Sequence, residues 1–181
     1  MRKQGEMVDD DSAIAPLSEA SDGDSAVRAL WHLEKTRPGG AARSVTPYLR
    51  SEDAAVRRAA TRCLVALGDT TSVADLMRAA EHASGSGEKR MFVDAVIYLK
   101  PAGVAQWCVA MFRANGWLLR KKEALCLAEF ADAGVLDLVR ESEVMIVWEG
   151  RDGISGEVTQ KVVRRVLDRE SGEQRSSTAS R

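Results

Sequence analysis

Apolar side chains recur every three or four residues along most of the chain, and this spacing predicts helices rather than strands. The pattern is clearest in residues 51–69, where arginines and a threonine occupy the opposite side of the predicted helix. Its apolar face consists of Val56, Ala59, Ala60, Cys63, Leu64 and Leu67. Ser51 or Asp53 can cap the start of this helix, and Gly68 can adopt the left-handed conformation that ends it.

A second amphipathic segment follows at once, in residues 70–83. Ser72 and Asp75 have the spacing of a capping box, in which two side chains satisfy the backbone N–H groups at the start of a helix. Because only a short turn separates the two predicted helices, they should lie antiparallel as a pair.

This helix pair recurs along the chain. Arg58 of the first copy corresponds to Arg90, 32 residues later, and then to Lys121, another 31 residues on. A second helix is predicted after each later copy, in residues 101–116 and 131–142. One helix pair cannot bury its own apolar face, so a repeat of this length predicts stacked pairs that cover one another.

The two ends of the array are less regular. Residues 25–51 resemble an earlier, divergent copy that would cap the stack. After the last clear copy, the run from Val144 to Trp148 is rich in β-prone residues, and the pattern leaves open whether it forms helix or strand. A glycine-rich loop and a closing helix with a valine stripe, residues 158–167, complete the prediction.

Polar tails are predicted outside the array. Residues 1–23 are acidic and contain only one short apolar patch, too little to offset the entropy cost of ordering the backbone. Residues 171–181 are rich in serine. We therefore predict largely disordered tails at 1–23 and 171–181 and a single helical array at 24–170.

The repeated segment resembles a HEAT-like repeat, in particular the short phycobilisome-lyase type. The residues that carry the resemblance are Asp53, Val56, Arg57, Ala59, Ala60, Leu64, Leu67 and Gly68. It covers residues 51–83 best and 86–143 less closely. The resemblance implies an all-α, right-handed solenoid of four to five stacked antiparallel pairs, in which the second helix of each pair lines the concave, partner-binding surface.

Charge and composition exclude several functional classes. Hydrophobic residues make up 45% of the chain but aromatic residues only 5%, which favours close packing of helix on helix. Residues 25–170 carry 22 basic and 19 acidic side chains, a net charge of +3, which disfavours nucleic-acid binding. We find neither a signal sequence nor a long apolar run, so we predict a cytoplasmic protein without membrane contact.

The candidate chemical groups are few. The two histidines, His32 and His82, lack companions at the spacing of metal ligands, so we predict no metal site. Cys63, Cys108 and Cys126 lie within apolar helical patterns and should be buried free thiols. Cys63 and Cys126 occupy equivalent repeat positions, which favours packing over catalysis. The sequence therefore predicts no catalytic residue and no cofactor.

These observations favour a non-enzymatic module that binds another protein: an adaptor, an assembly factor or an inhibitor. The predicted partner-binding residues are the outward side chains of the second helices, together with Trp117, which lies at a turn. They are Arg43, Asp75, Arg78, His82, Gln106, Arg113, Trp117 and Arg140. Two alternatives stay open, a bilin lyase-like protein that handles a chromophore and a nucleic-acid-binding HEAT-like protein.

Overall fold

The computed structural model describes residues 10–100, 102–149 and 154–178. Over these residues the chain forms helices and turns, with no strand. The chain divides into two compact units, of which unit 1 ends at Leu99 and unit 2 begins at Lys100. The prediction of an all-α chain is confirmed.

Unit 1 is a stack of paired helices. Its elements are α1 (Asp10–Ser18), α2 (Gly23–Thr36), α3 (Ala42–Val45), a 3-10 turn (Thr46–Arg50), α4 (Ala54–Leu67), a second 3-10 turn (Thr70–Ser72), α5 (Val73–His82) and α6 (Ser86–Leu99). Helix α2 packs on α4, and α5 packs on α6. Leu30, Leu33, Leu64, Leu76 and Val93 are fully buried and form the core of this stack.

Helix α4 has the predicted ends. The Asp53 carboxylate accepts a hydrogen bond from the Ala55 N–H at 2.7 Å. At the other end Gly68 has a φ of 68°, and its N–H donates to the carbonyl groups of Leu64 and Val65. Of the two predicted caps, Ser51 and Asp53, the helix uses Asp53, and the predicted glycine end is confirmed.

The capping box predicted for α5 is wrong. Ser72 belongs to the preceding 3-10 turn, and its hydroxyl donates to the Asp69 carbonyl at 2.8 Å. The Asp69 carboxylate caps that turn by accepting from the Thr71 N–H. Because the chain enters α5 through this turn, Asp75 does not act with Ser72 and its carboxylate pairs with arginines instead.

Helix α1 lies inside the segment 1–23, for which the sequence predicts a largely disordered tail. Its Leu17 is only 2% exposed, and the helix packs on α2. The Tyr48 hydroxyl donates to the Leu17 carbonyl at 2.8 Å. The short apolar patch of this segment thus covers the end of unit 1, and residues 1–9 lie outside the described part of the chain.

The described residues of unit 2 form four further helices. They are α7 (Ala105–Ala114), α8 (Lys121–Leu127), a 3-10 turn (Ala128–Phe130), α9 (Ala133–Glu149) and α10 (Gly156–Thr178). Helix α9 packs on α7 and α10, and α10 also packs on α8. Since α9 continues to Glu149, the run from Val144 to Trp148 is helical; the side chain of Trp148 is outside the described set.

Arg169 fastens α10 to the rest of unit 2. Its guanidinium donates to the carbonyl groups of Glu129 at 2.9 Å and Ala131 at 3.2 Å. These bonds satisfy carbonyl groups at the end of the 3-10 turn that follows α8. Helix α10 extends to Thr178, into the predicted C-terminal tail, and the predicted boundaries at 23/24 and 170/171 stay predictions.

Candidate partner-binding surface

A groove of about 570 Å³ opens on unit 1 between the 3-10 turn before α4, the end of α5 and the start of α6. We name it groove A. It is lined by Leu49, Arg50, Ser51, Arg57, Arg78, Ala79, His82, Ala83, Ser84, Glu88 and Phe92. The 3-10 turn meets the consecutive helices α5 and α6 here because α5 packs against both α6 and the turn.

The floor of groove A is apolar. Leu49 and Phe92 are only 4% and 2% exposed, respectively, yet both contribute to the lining of groove A. Ala79 and Ala83 are half-buried, and their short side chains leave space above the floor. An apolar side chain of a bound segment can therefore lose contact with water here, which is the main favourable term in most protein association.

The rim of groove A is basic, with two arginines that share one carboxylate. Asp75 Oδ1 lies 2.9 Å from Arg78 Nη1 and 3.7 Å from Arg50 Nη2. The side chains of Arg50 and Arg78 are 70% and 53% exposed, respectively. One anionic side chain between two cations leaves a net positive charge at the surface and guanidinium N–H groups directed toward solvent.

Arg57 holds one wall of groove A in place. Its Nε donates to Glu88 Oε1, which joins α4 to α6. Its Nη1 donates to the carbonyl groups of Ser51 at 2.7 Å and Glu52 at 2.8 Å. Because a planar guanidinium bonds to α6 and to the chain before α4 at once, Arg57 fixes the spacing of these segments.

His82 lies at the C-terminal end of α5 and is exposed. Its Nδ1 donates to the Arg78 carbonyl at 2.8 Å, which orients the ring and leaves Nε2 for a partner group. His82 therefore presents a ring nitrogen to solvent at this end of α5.

The structure brings together part of the predicted binding set in unit 1. Arg78 and His82 line groove A, and Asp75 pairs with the two rim arginines, Arg50 and Arg78. Arg43 lies on α3, exposed, and is not among the lining residues. Sequence reasoning missed Arg50, which follows Leu49 at the end of the 3-10 turn and whose role depends on the contact of this turn with α5.

In unit 2, Gln106 and Arg113 contribute to a second groove, of about 550 Å³, which we name groove B. Its lining residues are Gln106, Val109, Ala110, Arg113, Asp132, Ala133 and Gly134. Arg113 pairs with Glu141 at 3.3 Å, and Arg140 lies 3.8 Å from Asp137. Each of these arginines has its own carboxylate, unlike the pair of arginines in groove A.

Trp117 is half-buried and packs within unit 2. Its ring meets that of Phe112 edge to face, with centroids 5.7 Å apart and planes at 87°. The backbone N–H of Trp117 donates to the Phe112 carbonyl at 2.9 Å. Much of this side chain therefore serves the unit's own packing, and its predicted partner role stays a prediction.

The described residues contain no group of three or more histidine, cysteine or carboxylate side chains that could hold a metal ion. Burial raises the pKa of the Cys63 thiol to about 12, with Glu34 adding to the effect, and burial likewise raises the pKa of Cys108 to about 12. Cys126 is half-buried, so the prediction that all three thiols are buried is wrong at this position. Helix α8 ends at Leu127, one residue after Cys126, whereas α4 continues for four residues beyond Cys63.

These burial differences predict the order of thiol labelling. At pH 8 a thiol with a pKa of about 12 is ionised to roughly one part in 10⁴. We therefore expect a disulfide reagent to modify Cys126 first, and Cys63 and Cys108 only as the chain unfolds. A Cys126→Ser variant should lose the fast phase, and equal labelling rates at all three thiols would contradict the assignment.

The same pKa shifts set a pH dependence. An unfolded thiol ionises near pH 8.5, whereas the folded Cys63 and Cys108 stay neutral to about 12. The stability that these two thiols contribute is thus fully present below the unfolded pKa and is lost as the pH rises toward 12.

None of the helices in the described ranges is both long enough and apolar enough to cross a membrane. Residues 11–96 match the family model for HEAT repeats. No curated protein and no solved structure matches the chain. HEAT repeats generally act as non-enzymatic scaffolds that mediate protein–protein interaction. The match spans α1 to α6 of unit 1, where the paired helices are observed, and it supports the predicted HEAT-like repeats and the predicted all-α solenoid class of fold.

Proposed function

We propose that this protein is a non-enzymatic adaptor, assembly factor or inhibitor that binds a segment of one specific partner protein in groove A. The observation that carries this proposal is the combination of an apolar floor, Leu49 and Phe92, with a rim on which Arg50 and Arg78 share a single carboxylate. Buried apolar anchors and arginines are the side chains that most often dominate the energetics of protein interfaces.

The charges of groove A fit a protein partner better than a nucleic acid. Arg57 is matched by Glu88, and Asp75 offsets part of the charge of the two rim arginines. Binding to a phosphate backbone usually relies on many cations that are not offset in this way. No observation on the described residues favours the lyase-like or the nucleic-acid alternative.

The position of groove A agrees with the expected binding surface of a HEAT-like array. Helix α5 is the second helix of its pair and supplies Arg78 and His82. In unit 2, the second helix α7 supplies Gln106 and Arg113 to groove B. We propose groove A as the principal surface and groove B, with Arg140 nearby in sequence on α9, as an additional one.

The test is affinity capture from a lysate of the source cells with three purified chains. They are the wild type, the double variant Arg50→Glu/Arg78→Glu, and the control Lys35→Glu/Arg58→Glu. The control makes the same change in net charge at exposed positions on α2 and α4 that do not line groove A. We expect one protein to be retained by the wild type and the control and lost with the groove variant. Retention by all three chains would contradict the proposal.

A further inference from the structure

We infer that groove A takes a partner segment that carries a glutamate or aspartate side chain, and that Asp75 sets the affinity by competing with that side chain for Arg50 and Arg78. This inference rests on the proposed function, since it names the chemistry of the segment that groove A binds.

The arrangement of the rim already shows how a carboxylate is held there. Asp75 comes from the first turn of α5, Arg78 lies one turn later, and Arg50 belongs to the 3-10 turn before α4. The carboxylate oxygen at 2.9 Å from Arg78 is 3.7 Å from Arg50, so the second contact is a longer, weaker one. Asp75 thus joins two separate elements through a single oxygen atom.

The contacts of Asp75 are weak enough for a partner to replace. Both arginines are more than half exposed, and ion pairs between solvated side chains typically contribute about 0.2–1 kcal/mol. A guanidinium can donate five hydrogen bonds, whereas the single Asp75 oxygen serves both arginines here. A second carboxylate can therefore bind beside Asp75 or take its place, at little cost to the fold.

The surroundings of the two arginines explain why the carboxylate should belong to a peptide segment. Leu49, Phe92 and two alanines form an apolar floor within the same groove, so an acidic side chain on the rim can be accompanied by an apolar neighbour on the floor. The two features together recognise an acidic residue next to an apolar one. A small carboxylic acid without the apolar part would use only the rim.

The probe is a fluorescein-labelled peptide with a repeating Leu-Glu-Glu sequence, compared with the same peptide in which glutamine replaces glutamate. Binding is followed by fluorescence anisotropy at low salt. We expect the glutamate peptide to bind the wild type more tightly than the glutamine peptide does. Asp75→Asn should bind the glutamate peptide about two- to fivefold more tightly, because removal of a competing surface pair is worth up to about 1 kcal/mol.

Two comparisons separate this effect from a change in structure. The gain with Asp75→Asn should disappear in the background Arg50→Gln/Arg78→Gln, which lacks the cations for which Asp75 competes. Glu34→Gln is the matched control, since Glu34 pairs with the exposed Arg62 on unit 1 and neither residue lines groove A or groove B. It should leave peptide affinity unchanged. Circular dichroism confirms that each variant is folded at the temperature of the assay.

If Asp75→Asn binds the glutamate peptide no more tightly than the wild type does, Asp75 does not compete for the two arginines. If the wild type binds both peptides equally, groove A does not select an acidic side chain. Neither result decides the proposed function. The proposed function fails if the Arg50→Glu/Arg78→Glu variant still captures the partner. If this variant loses the partner but the protein binds the glutamate and glutamine peptides equally, the proposed function stands and groove A binds a segment of different chemistry.

Discussion

Phe92→Ala is expected to lower the free energy of unfolding by about 3–5 kcal/mol, the usual cost of truncating a buried phenylalanine. Phe92 is 2% exposed on α6 and forms part of the floor of groove A. Its removal deletes buried apolar surface and leaves a cavity between α6 and the elements packed on it. Urea unfolding followed by circular dichroism at 222 nm measures the loss.

The matched control for this variant is Trp31→Ala, which removes a larger side chain from α2. Trp31 is 50% exposed, so half of its surface already contacts water, and we expect a smaller loss of about 1–2 kcal/mol. If Phe92→Ala cost no more than Trp31→Ala, the assignment of Phe92 to the core of unit 1 would be wrong.

Arg57→Ala is expected to cost about 2–3 kcal/mol, because it removes every bond by which this guanidinium joins α4, α6 and the preceding chain. Glu88 loses its cation, and the carbonyl groups of Ser51 and Glu52 lose a donor. Arg57→Lys keeps the charge but not the planar fork, so it should restore only part of the stability. The measurement is again urea unfolding.

Arg62→Ala provides the comparison on the same helix. Arg62 pairs with Glu34 at 2.9 Å, but its side chain is 60% exposed, and such surface pairs contribute little. We expect its loss to cost less than about 1 kcal/mol. Similar losses for Arg57→Ala and Arg62→Ala would show that the Arg57 contacts do not hold the wall of groove A.

The local features of the fold could be predicted where the signal lies within one helix. The apolar face of α4, its Asp53 cap and its Gly68 end all follow from neighbouring residues. The helical period also identified α5 and α6, because their buried residues recur at the same spacing. The repeat itself follows from comparison of these helices with one another.

Features that depend on how helices meet could not be predicted in this way. The 3-10 turn before α5 turned the Ser72 hydroxyl toward Asp69 and left Asp75 to the arginines. Arg50 becomes a partner of Asp75 only when the turn that carries it packs on α5. The α5 residues of groove A could therefore be predicted from the outward face of that helix. The residues that the 3-10 turn supplies could not, because their place in the groove depends on tertiary packing.

A β-prone run and a cysteine in unit 2 also show where prediction from local sequence stops. The run from Val144 to Trp148 has the residue types of a strand, but it continues α9 as helix. Cys126 matches the buried Cys63 in the repeat, but α8 is shorter than α4, so the equivalent position is only half-buried. Repeat register predicts burial only while the repeats keep the same length.

The central claim, that groove A binds a partner protein, is tested most directly by titrating the captured partner, once purified, against the three chains used for capture. Isothermal titration calorimetry gives each Kd. Two charge reversals at a basic rim should weaken binding at least about 30-fold, or about 2 kcal/mol, with Arg50→Glu/Arg78→Glu, and Lys35→Glu/Arg58→Glu should stay within about twofold of the wild type. Equal affinities for the wild type and the groove variant would contradict the account.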